Sequence, residues 1–336
     1  MTAIPSEGGR PPTPPGPASP GPWHTAPAAG RPAAPAAEIS DRARAERRLG
    51  LLLSAPAVIV MLVVTAYPLV NALYLSLFSY RITAPDDRRF VGLANYGTAL
   101  SDPLFWQDVL TTFVITSVTV AVELVIGFAL AMVMHRAVFA RRTVRTAILL
   151  PYGIVTVISA FAWKYAFDLQ SGFVNSWFGL GDYAWFSGRW SSMTVIVLSE
   201  IWKTTPFVSL LLLAGLAQVP GDLGEAATVD GATAWQRLRR VTIPNMKAAI
   251  LVAVLFRTLD AWRIFDNVFV MTSGQQKTET LSFLTYRQTI TRTAIGLGDA
   301  VGVLLFLSVV LIAVVFIKGF RVDLAQARGE RGGGEK

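Results

Sequence analysis

Six runs of apolar residues, each near the ~20 residues a helix needs to cross the hydrocarbon core of a bilayer, constrain this chain more than any other feature. They extend roughly over Leu49–Leu77, Val109–Met134, Ala147–Phe167, Met193–Leu216, Ala248–Met271 and Val301–Ile317. Lipid offers no partner to a backbone amide, so each run must satisfy its own and is expected to be helical. Composition agrees: 53% of the 336 residues are hydrophobic and 15% are charged, against about 25% charged in ordinary soluble domains. The expected fold class is an all-α membrane protein with six transmembrane helices. With no cysteine and two histidines, His24 and His135, disulfides and thiolate sites are excluded and no metal centre is expected.

The net charge of +8 could suggest nucleic acid, but the basic residues flank the apolar runs. Arg42, Arg44, Arg47 and Arg48 precede the first; Arg136, Arg141, Arg142 and Arg145 lie between the second and third. Arg237, Arg239, Arg240 and Lys247 lie between the fourth and fifth, and Lys318 and Arg321 follow the last. The intervening loops mix Arg81, Arg88 and Arg89 with Asp86, Asp87 and Asp102, or carry little charge around Ser171–Ser191. Cytoplasmic loops carry the Lys/Arg excess. The expectation is therefore a multi-pass plasma-membrane protein with both termini and the Gly221–Met246 loop inside. Residues 1–40 hold eleven of the nineteen prolines and lack an apolar signal-peptide core, which predicts a disordered cytoplasmic tail over 1–45. The first span and its external loop would occupy 46–105, the permeation core 106–320, and a second cytoplasmic tail 321–336.

The fourth-to-fifth loop is the most specific stretch. It reads Glu225-Ala226-Ala227-Thr228-Val229-Asp230-Gly231-Ala232, then runs through Val241 and Ile243 to Pro244. Good helix formers on both sides of Gly231 predict two short helices with a chain reversal at the glycine. Pro244 suits the first turn of the next helix. This loop resembles the EAA loop of ABC importer permeases: E-A-A, three residues, G, nine residues, I-x-L-P. Val241 and Ile243 are its only departures. The likeness extends over most of residues 50–320. Tyr67-Pro68, Phe90-Val91-Gly92-Leu93 and Trp202-Lys203-Thr204-Thr205-Pro206-Phe207 resemble sugar-type permeases, as does Phe265-Asp266-Asn267-Val268. That last stretch continues Thr272-Ser273-Gly274-Gln275 where the family usually has Thr-Gly-Gly-Pro. Leu150-Pro151-Tyr152-Gly153-Ile154-Val155 and Phe256-Arg257-Thr258-Leu259-Asp260 most resemble actinobacterial trehalose-importing permeases.

The resemblance implies a permease subunit without enzymatic activity, importing a sugar such as trehalose. It also implies its partners: a second permease, two ATP-binding subunits and an extracellular solute-binding lipoprotein, with the bilayer around them. No Gly-Lys pair occurs, so a phosphate-cradling loop is missing. ATP and Mg are then expected on the partner subunits, with no cofactor on this chain. In the family, the glutamate matching Glu225 helps anchor the loop in the ATPase, and Ala226, Ala227, Asp230 and Gly231 with Val241, Ile243 and Pro244 complete the coupling loop.

Charges at bilayer depth cost on the order of 2.5–3.5 kcal/mol each on insertion scales. At 1.5 Å per residue, Arg257 and Asp260 lie about 14 and 18 Å along the fifth run, and Glu200 and Lys203 about 10 and 15 Å along the fourth. Glu123 lies about 21 Å along the second. All five converge on one slab, with Arg263 about a turn further along. Two readings stay open: a buried network that holds helices together, and a wet cavity that binds sugar hydroxyls. The candidate substrate path comprises Glu200, Trp202, Lys203, Arg257, Asp260, Arg263, Asp266 and Asn267. A structural role is expected for Glu123. Pro206 is expected to loosen the fourth span at this level. Competing functions are an ABC permease for glycerol phosphate or an oligosaccharide, and an ion-coupled secondary transporter, which would have no use for the Glu225–Pro244 loop.

Overall fold

The computed structural model describes residues 41–136 and 141–332, which are predominantly helical. The proline-rich stretch and His24 lie outside them. Helix α1 (Asp41–Leu75) begins inside the stretch expected to be tail. The chain divides into two units at Val60 and Met61. The described part of the first is the α1 segment 41–60, in which Leu49, Leu52, Leu53, Val58, Ile59 and Val60 are exposed as on a lipid-facing helix. The second unit comprises everything from Met61 on.

In that unit the rest of α1 leads into an antiparallel hairpin, β1 (Phe78–Arg81) and β2 (Ala84–Phe90), with Phe78 opposite Phe90. The Arg88 guanidinium lies 4.4 Å from the centre of the Phe78 ring. Helices α2 (Ala94–Ser101) and α3 (Pro103–Arg136) follow, then α4 (Arg141–Leu149), α5 (Thr156–Ala166), α6 (Val174–Phe178) and α7 (Arg189–Leu216). The loop helices α8 (Gly221–Val229), α9 (Ala234–Arg237) and α10 (Ile243–Asn245) precede α11 (Lys247–Ala261), α12 (Asp266–Met271), α13 (Leu281–Tyr286) and α14 (Ile295–Gly332).

Among the described residues four stretches are long and apolar enough to cross a membrane unbroken: Arg48–Leu75, Pro103–Arg136, Arg189–Leu216 and Ile295–Gly319. The third and fifth apolar runs depart from expectation. The third turns through 88° at Ile154 and Val155, where Pro151 and Gly153 end the preceding helical turn. The fifth breaks over residues 262–265, between α11 and α12. Non-helical backbone is tolerated at membrane depth where it lines a cavity, and the fifth break does so. Pro206 leaves α7 unbroken. Neighbouring hydroxyls bond carbonyls on that helix, Thr204 to Glu200 O (2.6 Å) and Thr205 to Ile201 O (2.5 Å). The last helix continues through Gly332, into residues expected to be tail.

Glycines set the closest approaches. A Cβ on Gly127 of α3 would stand 3.0 Å from Val208 Cγ1 of α7, and one on Gly215 would stand 2.3 Å from Ala249 Cβ of α11. Small residues let helix backbones approach in lipid, where no hydrophobic force drives them together. One turn before the Gly127–Val208 contact stand Glu123 and Thr204, and it is this approach that brings their side chains within reach of each other.

Candidate functional site

Arg257 of α11 is the hub. It is 1% exposed, and all three of its nitrogens are engaged. Its Nε donates to Glu123 Oε2, and Nη2 donates to Glu123 Oε1 (3.0 Å) and Glu200 Oε1 (2.8 Å). Nη1 reaches Asp260 Oδ2 at 2.8 Å. The Thr204 hydroxyl proton is shared between Glu200 O and Glu123 Oε1 (2.7 Å), and Asn267 Nδ2 donates to Glu200 Oε2 (2.5 Å). One guanidinium thus ties α3 and α7 to α11, and Glu200 carries the network on to α12. A carboxylate or guanidinium buried at this depth is tolerable only when paired and hydrogen-bonded, and here each partner meets that condition.

In front of this hub opens a cavity of about 530 Å³. Glu200, Lys203 and Thr204 line one wall and Tyr152 and Thr156 a second; Asp260, Arg263, Ile264, Phe265, Asp266 and Asn267 form the wall at the helix break. The Asp260 side chain is 60% exposed. Lys203 Nζ lies 5.6 Å from the centre of the Tyr152 ring, which stacks on Phe207. The cavity presents cations, carboxylates, an amide, hydroxyls and a flat aromatic face together, a set suited to a polyhydroxylated ligand.

Six of the eight residues expected on a substrate path line this cavity: Glu200, Lys203, Asp260, Arg263, Asp266 and Asn267. The other two do not. Arg257 sits behind the wall, and Trp202 faces a separate apolar groove of about 640 Å³ with Trp163 and Trp177. Glu200, Lys203 and Thr204 form an i, i+3, i+4 stripe on α7, and at about 100° per residue Trp202 points to the opposite side of the helix. Trp262 is also turned away and donates from Nε1 to Ser308 Oγ (2.8 Å).

The loop after α7 forms two short helices around a reversal, as its sequence predicts. Gly231 has φ +77°; its N–H donates to Thr228 O (3.0 Å) and that of Ala232 to Ala227 O (2.9 Å). This is the Schellman pattern of hydrogen bonds that ends a helix. Thr233 and Gln236 cap α9 reciprocally. The second helix differs from expectation: after Arg237 it widens into a π turn over Leu238–Thr242. Pro244 lies in the three-residue α10, ahead of the fifth-run helix that starts at Lys247.

A second polar cluster escaped the sequence reading. Asp108 of α3 is wholly buried, and neither of its carboxylate oxygens has a hydrogen-bond partner among the described residues. Near it, Glu279 pairs with Arg287 (2.6 Å), and burial pushes the Glu279 carboxyl up to about 7. The sequence signal was an acid at the very start of an apolar run.

A family model for the binding-protein-dependent transport system inner membrane component matches residues 123–326. The chain belongs to that family. The permease is 49% identical over 276 residues to the trehalose transport system permease protein SugA of Mycobacterium tuberculosis, covering 82% of this chain and 90% of that one. It is 34% identical over 278 residues to the trehalose/maltose transport system permease protein MalF of Thermococcus litoralis, covering 81% and 94%. Among solved structures, a chain of a bacterial ABC transporter importing the acidic polysaccharide alginate superimposes with TM-score 0.72 at 22% identity, over 84% of the permease and 99% of that chain. That likeness establishes a shared fold. The permease is a multi-pass inner-membrane transport subunit, and its relatives are transporters rather than enzymes.

Proposed function

We propose that this permease carries a neutral disaccharide of the trehalose type through the polar cavity at the α11–α12 break, driven by ATP hydrolysis on partner subunits. The observation that carries this reading is that cavity, in a chain 49% identical to a trehalose permease. Four acids in and behind its wall (Glu123, Glu200, Asp260, Asp266) face three bases (Lys203, Arg257, Arg263). The small negative excess suits a neutral sugar and repels a phosphate, which disfavours glycerol phosphate as cargo.

In this reading the chain crosses the membrane six times, the broken third and fifth runs each counting as one crossing, with both termini inside. Residues 46–105 form the first span and external loop, 106–320 the permeation core, and 1–45 and 321–336 the cytoplasmic ends. A second permease completes the pore, a solute-binding lipoprotein delivers sugar from outside, and two ATPases bind ATP and Mg. The Glu225–Pro244 segment docks into one ATPase. In support, Leu223, Val229 and Trp235 are 42%, 88% and 66% exposed on its short helices, an apolar surface that asks for a partner. ATPase closure pushes this loop and exchanges inward for outward access.

The topology is checked with single thiols, which have no background in a chain without cysteine. A membrane-impermeant maleimide is expected to label Ser171→Cys in intact cells and leave Thr233→Cys unlabelled; the reverse pattern refutes the orientation.

The function is tested in proteoliposomes holding the whole importer. Wild type is expected to accumulate labelled trehalose only with internal ATP. Gly231→Val abolishes uptake and substrate-stimulated hydrolysis while the binding protein still binds sugar. Nothing lies within 4 Å of a Cβ on Gly231, so the harm comes from forcing a β-branched residue into left-handed φ. Unchanged stimulation in an assembled Gly231→Val complex contradicts the coupling role.

A further inference from the structure

Between the last turns of α3 and α7 and the helices α8 and α9 lies a groove of about 420 Å³ that the transport reading does not use. His135, Arg136 and Arg237 line it, and no acidic residue does. Among the described residues none of these three forms an ion pair with an acid. The Arg237 guanidinium donates to Thr228 Oγ1. The acids of this loop, Asp222, Glu225 and Asp230, are exposed and outside the lining. Beside the basic groups Leu216, Val219 and Leu238 offer an apolar wall, and the exposed Trp235 stands at the lip.

Unneutralised basic groups beside an apolar wall fit a ligand that is anionic at one end and apolar at the other. The cytoplasmic leaflet carries anionic lipid, and basic pockets between transmembrane helices on that side hold such headgroups. Tryptophan is at home where apolar chains meet water. We infer that this groove binds the phosphate headgroup of an anionic phospholipid, with its glycerol and upper acyl carbons against Leu216, Val219 and Leu238. The lipid bridges the end of α3 to α9 and so braces the proposed coupling loop against the bilayer. The inference rests on the cytoplasmic placing of that loop. Maleimide labelling reads that placing independently, so a misplaced loop and an empty groove give different results.

The test uses the detergent-purified complete importer, titrated separately with phosphatidylglycerol, phosphatidylcholine and inorganic phosphate while its thermal midpoint is followed. Phosphatidylglycerol is expected to raise the midpoint, and the other two to leave it unchanged. The double variant His135→Gln/Arg136→Gln is expected to need about tenfold more phosphatidylglycerol for the same rise. A double variant that responds like wild type overturns the site, as does a wild type that does not respond. An equal response to inorganic phosphate overturns the lipid in favour of a free anion. Native mass spectrometry of the wild type supplies a check independent of the variant's folding: phosphatidylglycerol must be retained over phosphatidylcholine, and equal retention refutes the inference.

Discussion

Arg257→Met is expected to prevent assembly of the importer or to lower its thermal midpoint severely. The substitution keeps length and apolar bulk but leaves Glu123 and Glu200 buried, at 0% and 7% exposure, with no cation between them. Magnitudes decide what to expect. Deleting an ordinary interhelical hydrogen bond in a membrane bundle costs on the order of 0.6 kcal/mol, a loss hard to see. Removing one partner of a buried ion pair costs about 3–5 kcal/mol, because an uncompensated charge remains. Arg257 serves two buried acids at once, so the loss lies at or beyond the upper end of that range. The same physics predicts a rescue. Replacing a whole buried ionic cluster by neutral groups is often harmless, so Glu123→Gln/Glu200→Gln/Arg257→Met is expected to regain assembly. Size-exclusion yield and thermal midpoint read both outcomes. An Arg257→Met complex of normal yield and normal midpoint contradicts the hub role.

Asp260→Asn is expected to do the opposite: leave assembly intact and slow uptake on the order of tenfold. Asp260 is the exposed member of the network, and without it Arg257 still holds Glu123 and Glu200. What changes is the cavity wall. A hydrogen bond to a charged group contributes about 1.5–3 kcal/mol and a neutral one about 0.5–1.5 kcal/mol. The difference between the middles of these ranges, about 1.25 kcal/mol, corresponds to roughly eightfold. Uptake and assembly measured on the same proteoliposomes separate transport from folding. Full uptake by an assembled Asp260→Asn importer removes Asp260 from the path.

The two substitutions also show how the competing readings of the midplane charges resolve. Depth along each run was legible from 1.5 Å per residue, and it brought Glu123, Glu200, Lys203, Arg257 and Asp260 to one slab. Depth says nothing about which way a side chain faces, so the slab held a structural network and a cavity wall without distinguishing them. In the structure the two share residues: Arg257 and Glu123 lie behind the wall, Lys203 within it, and Glu200 and Asp260 belong to both. The i, i+3, i+4 spacing of Glu200, Lys203 and Thr204 was available from helix geometry alone and would have set Trp202 apart. The reversal at Gly231 was legible because few residues tolerate left-handed φ. The breaks in the third and fifth runs were not, because hydropathy averages over a kink and reports only length. The β1–β2 hairpin escaped for another reason: β1 alternates over four residues alone, and β2 is exposed along its whole length with no alternation of apolar and polar residues.

The central claim is that the cavity between α7 and the α11–α12 break holds the sugar in transit. The most direct measurement is a structure of the complete importer, trapped by a hydrolysis-deficient ATPase in the presence of trehalose and its binding protein. The account predicts a disaccharide within hydrogen-bond distance of Lys203 and Asp260, beside the Tyr152 ring. A trapped sugar seated wholly on the second permease, with this cavity vacant, contradicts it.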